Sequence, residues 1–159
     1  MKKTILCLLG VIAITIVVLP SPVNANAPAR RYVVSAGSGS GNGTVYDSKT
    51  KLTWQQTSPS TKYALADAKQ YCAQVGTSLS GTGWRLPTIK ELLTIVDYSL
   101  SSPAIDPNAF PLTPATVWFW SSSPVVAPGS TSKALGVYFG RGNDFFDDPS
   151  VPYNVRCVR

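Results

Sequence analysis

The chain has 159 residues, a formal charge of +6 and 44% hydrophobic residues, enough for one domain with a sizeable core. It holds no histidine, which removes the commonest general base and the usual serine and cysteine triads. The excess charge is mild and no dense Lys/Arg run occurs, so nucleic acid is not an expected partner.

Lys2 and Lys3 precede an uncharged run from Thr4 to Leu19, followed by Pro20, Ser21, Pro22 and the small-residue site Val23-Asn24-Ala25. That order reads as a secretory signal peptide over residues 1–25. Cleavage after Ala25 is preferred, because cutting after Ala27 would set Pro28 beside the scissile bond. The competing reading is an uncleaved anchor, since about 20 apolar residues span a bilayer. Cys7 comes too early for a lipoprotein site. The expectation is export to the periplasm, the cell surface or the medium, with no membrane insertion once the leader is cut. Removing Lys2 and Lys3 takes 14 basic residues to 12 against 8 acidic ones, which leaves +4. Such a balance favours sulfated or carboxylated glycans or anionic lipid, or serves solubility alone.

Residues 26–42 carry a β-like run, RRYVVS (30–35), and most of a Gly/Ser-rich connection, AGSGSGNG (36–43). TVYDSKTKLTWQQ (44–56) predicts a hairpin: Asp47 opens the turn, residues 48–51 carry it, and Leu52 and Trp54 share a face. Residues 58–76 predict a helix capped by Ser60 or Thr61, with a buried stripe of Leu65, Ala68, Cys72 and Val75 and an end at Gly76. GWRLPTIKELLTIVD (83–97) predicts a second helix. Thr88 and Glu91 stand at capping-box spacing, Pro87 sharpens the start, and Ile89, Leu92, Leu93 and Val96 form its apolar stripe. Residues 99–114 read as an irregular packed connection, 116–124 as a buried strand and 125–132 as a loop. Then follow a strand (133–142), a loop (143–152) and a closing strand (153–159). Strands at both ends flanking two helices make an α+β domain.

Little of this supports catalysis. Glu91, the only glutamate, already has a capping task. Asp144, Asp147 and Asp148 are weak calcium candidates, because the EF-hand pattern is absent and a solvated acidic loop explains them as well. Beyond the leader stand two cysteines, Cys72 and Cys157, which read as one disulfide in an oxidising compartment. A reactive or metal-binding pair would want histidine or C-x-x-C spacing. Trp54, Trp84 and Trp120 are expected in the core, whereas Tyr138, Phe145, Phe146 and Tyr153 fall on or beside late loops, where binding residues concentrate.

GTVYDSKTKLTWQ, AKQYC, GWRLPTIKELLTIVD, FWSSSP and the terminal VRCVR appear in one order. Together they resemble the C-terminal domain family of bacterial collagen-like adhesins, over residues 43–159. Lys51 stands where such domains often carry glycine, and no Gly-X-Y tract occurs, so trimerisation by a collagen stalk is not implied. The resemblance implies a C-type-lectin-like fold, akin to that of formylglycine-generating enzymes: two helices on short antiparallel sheets with long late loops. It also implies a Cys72–Cys157 staple, which leaves no counterpart to those enzymes' copper-binding cysteines. Trp84 and Leu86 would pack inward, with Arg85 paired to a buried carboxylate or carbonyl. The implied ligand surface is Tyr138, Arg141, Asn143, Asp144, Phe145, Phe146 and Tyr153. Its expected partner is a glycan, and the alternative is a protein-binding receptor or structural envelope component on the same scaffold.

Overall fold

The computed structural model describes residues 31–37, 43–75, 78–126 and 133–159. The expected leader, the centre of the Gly/Ser connection, the predicted helix stop at Gly76 and most of the 125–132 loop lie outside them. Two antiparallel three-stranded sheets and two helices make up a mixed α+β fold.

The first sheet joins β1 (Tyr32–Ser35), β2 (Thr44–Asp47) and β3 (Thr53–Gln55) in chain order. Its hairpin is built as the turn residues require. Asp47 Oδ1 accepts from the Lys49 amide at 3.0 Å and Oδ2 from the Thr50 hydroxyl at 2.9 Å. Lys51 takes the left-handed conformation at φ 64°, the geometry in which glycine is at ease. Asp47 is fully buried and paired with Arg31, whose Nη2 also donates to Thr94 O at 2.7 Å. One guanidinium thus ties β2 to the second helix.

Helix α1 (Leu65–Gln74) starts later than predicted. Neither Ser60 nor Thr61 caps it; its N-cap is Ala64, and the Leu65 amide donates instead to Pro149 O at 2.8 Å. Backbone from the far end of the chain supplies the acceptor that a hydroxyl was expected to give. Ala68, Cys72 and Val75 are buried as the stripe requires. Cys72 is bonded to Cys157.

Helix α2 (Ile89–Thr94) has the full capping box: Thr88 N donates to Glu91 Oε2 at 2.8 Å, and Thr88 Oγ1 accepts from Glu91 N at 3.3 Å. It stops short of Asp97 because the Ile95 and Val96 amides fall back to the carbonyls of Leu92 and Leu93, a tightening last turn. The approach segment is held twice. Arg85 exchanges backbone bonds with Val158, and the Pro87 carbonyl accepts from Ser122. Trp84 and Leu86 point inward. Arg85 does not reach a buried group. Its side chain is half exposed and grips Glu91 at 2.6 and 2.8 Å, because the neighbouring cap already presents that carboxylate at the surface.

The connection from 99 to 114 is irregular and packed, with Ala104, Ile105, Ala109 and Phe110 buried. The second sheet then runs β4 (Trp118–Pro124), β5 (Ala134–Tyr138) and β6 (Asn143–Asp147). Residues 143–147 are therefore strand, not loop, and β5 ends at Tyr138 to let the chain turn. The Phe-Phe pair drives this: alternation sends Phe145 to one face and Phe146 to the other, along a ladder in register with β5.

The expected closing strand is no continuous ladder. Tyr153 bonds Tyr63, Asn154 bonds Trp118 and Trp120, and Cys157 to Arg159 bond β3, with Val158 also bonding Arg85. The segment changes partner every few residues, so only single bridges form. Its side chains separate two cores. Val155 and Cys157 join Ala68, Leu79, Trp84, Leu86 and Trp120; Val158 joins Val45, Trp54, Leu92, Ile105, Phe119 and Val137.

Candidate aromatic binding face

Strand register decides which of the late residues meet. Trp118 pairs with Tyr138 and Trp120 with Gly136; Gly136 pairs with Phe145 and Tyr138 with Asn143. These side chains share one face of the second sheet. The inner end is closed, since Trp120 is fully buried and its Nε1 donates to Tyr63 O and Val151 O. At the outer end Trp118, Tyr138, Phe145 and Tyr153 are half-buried.

The rings form one cluster. Trp118 lies 4.6 Å from Tyr138 and 4.4 Å from Phe145, and Phe145 meets Tyr153 edge-on at 5.2 Å. Two glycines let them lie close to the backbone. A Cβ on Gly136 would run into the Phe145 ring, and one on Gly140 into the Tyr138 ring. The Tyr153 hydroxyl donates to Asp147 Oδ2 at 2.7 Å, which orients the phenol. Burial and that bond push Tyr153 up to about 12, while Asp147 is held below the ordinary carboxylate range, chiefly by the same bond. Both therefore keep one protonation state around neutrality. The face offers aromatic area with a fixed hydroxyl, not a group poised to transfer protons.

Of the residues expected to bind, Tyr138, Asn143, Phe145 and Tyr153 come together here, and Arg141 stands exposed in the turn beside them. Asp144 and Phe146 do not. Strand alternation turns both to the opposite face, where Phe146 is 58% exposed with the Lys133 ammonium 5.0 Å from its ring centroid. Trp118 joins the cluster from outside the set of residues expected to bind. It stands two residues before Trp120, hence on the same face one step nearer the strand's end, and that spacing was available to find it.

The acidic residues do not converge either. Asp144 is on the far face, Asp147 holds Tyr153, and Asp148 accepts from the Ser150 hydroxyl and amide. Among the described residues no group of three carboxylate or cysteine side chains could hold a metal ion.

No curated protein matches the chain significantly. The Lcl C-terminal domain family does match, over residues 43–159. The chain belongs to the Lcl C-terminal domain family and is an adhesin-like binding module.

Proposed function

We propose that the protein is exported and non-catalytic, and that it recognises glycans through the outer end of the aromatic face, acidic glycans included. The observation that carries this reading is the half-buried Trp118–Tyr138 pair with Asn143 and Arg141 at its rim. A sugar ring has an apolar face edged by hydroxyls, and such a surface answers both features: rings take the face, and Asn143 and Tyr153 take hydroxyls. Arg141 meets a carboxylate or sulfate in a planar, two-bond contact. Export is supported by the charge and order of the first 25 residues. Lack of turnover is supported by the absence of histidine and by Glu91 being held by Thr88 and Arg85. A C-type-lectin-like scaffold is supported by the early helix stapled to the tail.

A glycan array and a heparin column, run on the secreted chain, test the reading. Trp118→Ala is expected to weaken binding to all retained glycans about tenfold, the loss of roughly one stacking contact. Arg141→Ala is expected to weaken only sulfated or carboxylated ones and to flatten the salt dependence. No retention at low salt, with neither variant changing elution, refutes glycan binding. Capture of an envelope protein that sugars cannot displace would replace it with the protein-receptor reading.

A further inference from the structure

Arg156, in the terminal VRCVR, takes no part in the aromatic face and is completely buried. Its guanidinium carbon lies 4.8 Å from the Phe110 ring centroid and 5.5 Å from that of Phe119. Nη2 donates to Thr113 Oγ1 at 2.9 Å, and the Thr113 hydroxyl donates in turn to Phe110 O at 2.8 Å. Nε and Nη1, also buried, have no hydrogen-bond partner among the described residues, and no carboxylate there lies within ion-pair distance of the group.

This is an unusual arrangement for a cation. Ring faces offset part of a guanidinium's charge, but as acceptors of N–H groups they are weak and do not replace an anion. Arginine does not shed its proton in proteins, so the charge persists. Burial pulls the group down to about 9, which still leaves it protonated at neutral pH. A buried, unpaired ion is among the most destabilising features a core can hold. A neutral acceptor such as water would satisfy the N–H groups and leave the charge uncompensated. An anion would do both.

We propose that the Nε/Nη1 edge of Arg156 is a buried binding site for a small monovalent anion of the halide class. Size and donor count select that class. Sulfate and phosphate want many donors, whereas this site offers one guanidinium edge, with the Thr113 proton already committed to Phe110. The surface nearest the Arg156–Thr113 bond along the chain is the turn at residues 111–114. Leu112 and Pro114, on either side of Thr113, are exposed, and Leu112 adopts φ 58°, a conformation unfavourable for leucine.

The test uses the secreted chain with its disulfide intact. Thermal unfolding is followed at constant ionic strength while sodium bromide replaces sodium gluconate, whose anion is too large for the site and which avoids the general stabilisation that sulfate gives. A saturable rise of about 3–6 °C is expected in the wild type, as for any ligand held only by the native state. The rise should be absent in Arg156→Met, which fills the same space and needs no partner. Crystals grown in bromide provide the second measurement, with an anomalous peak expected in contact with Nε or Nη1. That measurement decides the matter even if Arg156→Met fails to fold. A bromide response that survives in Arg156→Met, no bromide effect in the wild type, or ordered water alone at that edge would overturn the proposal.

Discussion

Arg31 lies twelve residues before the family match begins, yet its side chain bonds both Asp47 and Thr94 within it. Its Nε and Nη2 meet the two Asp47 oxygens at 3.1 and 2.8 Å, and Nη2 also satisfies Thr94 O. Replacing Arg31 with Met leaves a fully buried carboxylate that keeps the Lys49 amide and the Thr50 hydroxyl but no cation. Removing one member of a buried pair costs about 3–5 kcal/mol, and the lower end applies because the Arg31 side chain is 13% exposed and water can enter. With a urea m-value of about 2 kcal/mol/M, the midpoint should fall by roughly 1.5 M at pH 7. The pH dependence gives a second check. Burial alone would raise Asp47, but the bonds from Arg31, Lys49 and Thr50 outweigh it and hold the group below its ordinary value. The stability it contributes is therefore present above the unfolded value of about 3.9 and is lost as pH falls through the lower folded value. In Arg31→Met burial prevails and the carboxyl protonates more readily, so the deficit should shrink between about pH 6 and pH 3. A midpoint shift below about 0.5 M at pH 7, or a deficit constant from pH 7 to pH 3, refutes the reasoning. A chain starting at residue 43 should show the same loss, deepened because the Tyr32–Phe110 ring contact goes as well.

Lys51→Gly should stabilise the protein by about 0.5–1 kcal/mol, read as a higher midpoint in urea, since relief at φ 64° exceeds the entropy that glycine adds to the unfolded chain. Replacing Cys72 and Cys157 together with Ser should remove about 4–5 kcal/mol, the loop-closure value for a separation of 85 residues, and should abolish the response to reductant. Glu91→Gln should cost about 1 kcal/mol through the lost charge opposite Arg85 and at the helix N-terminus, since Gln can still complete the capping box. The bond from Arg85 holds Glu91 at about 2, so its contribution is complete above 4.5 and lost as pH falls toward 2. Titration of that carboxyl by NMR near its ordinary value would contradict this.

The parts legible in the sequence are those set by short-range chemistry. The capping box at Thr88 and Glu91, the Asp47 turn and the buried Trp54, Trp84 and Trp120 need only a few neighbours to decide them. What escaped depends on distant backbone. Nothing local says that Pro149 caps α1, or that residues 153–159 divide their bonds among Tyr63, β4, β3 and Arg85. The candidate face was half legible for the same reason. Reading 143–152 as loop made Asp144 and Phe146 as accessible to a ligand as Phe145. Once 143–147 is strand, alternation separates them and brings in Trp118, whose place follows from pairing with Tyr138.

The tail segment is where staple and face become one system. Tyr153, at its start, contributes a ring to the aromatic cluster, and Cys157, four residues on, holds α1. Between them Val155 packs into one core while Arg156 enters the other. No continuous ladder fixes this stretch, so its position rests on scattered bridges, these side chains and the disulfide. An opening that begins at the cysteine would shift Tyr153 away from Phe145 and Asp147 before either sheet separates. Reduction under conditions that leave the fold intact should therefore alter Tyr153 first. The expected sign is a fall of its phenol from about 12 toward the ordinary tyrosine range, because the burial and the Asp147 bond that raised it are both released. A phenol titration unchanged by reduction would mean that the bridges alone hold the tail, and that the two ends of the segment are independent.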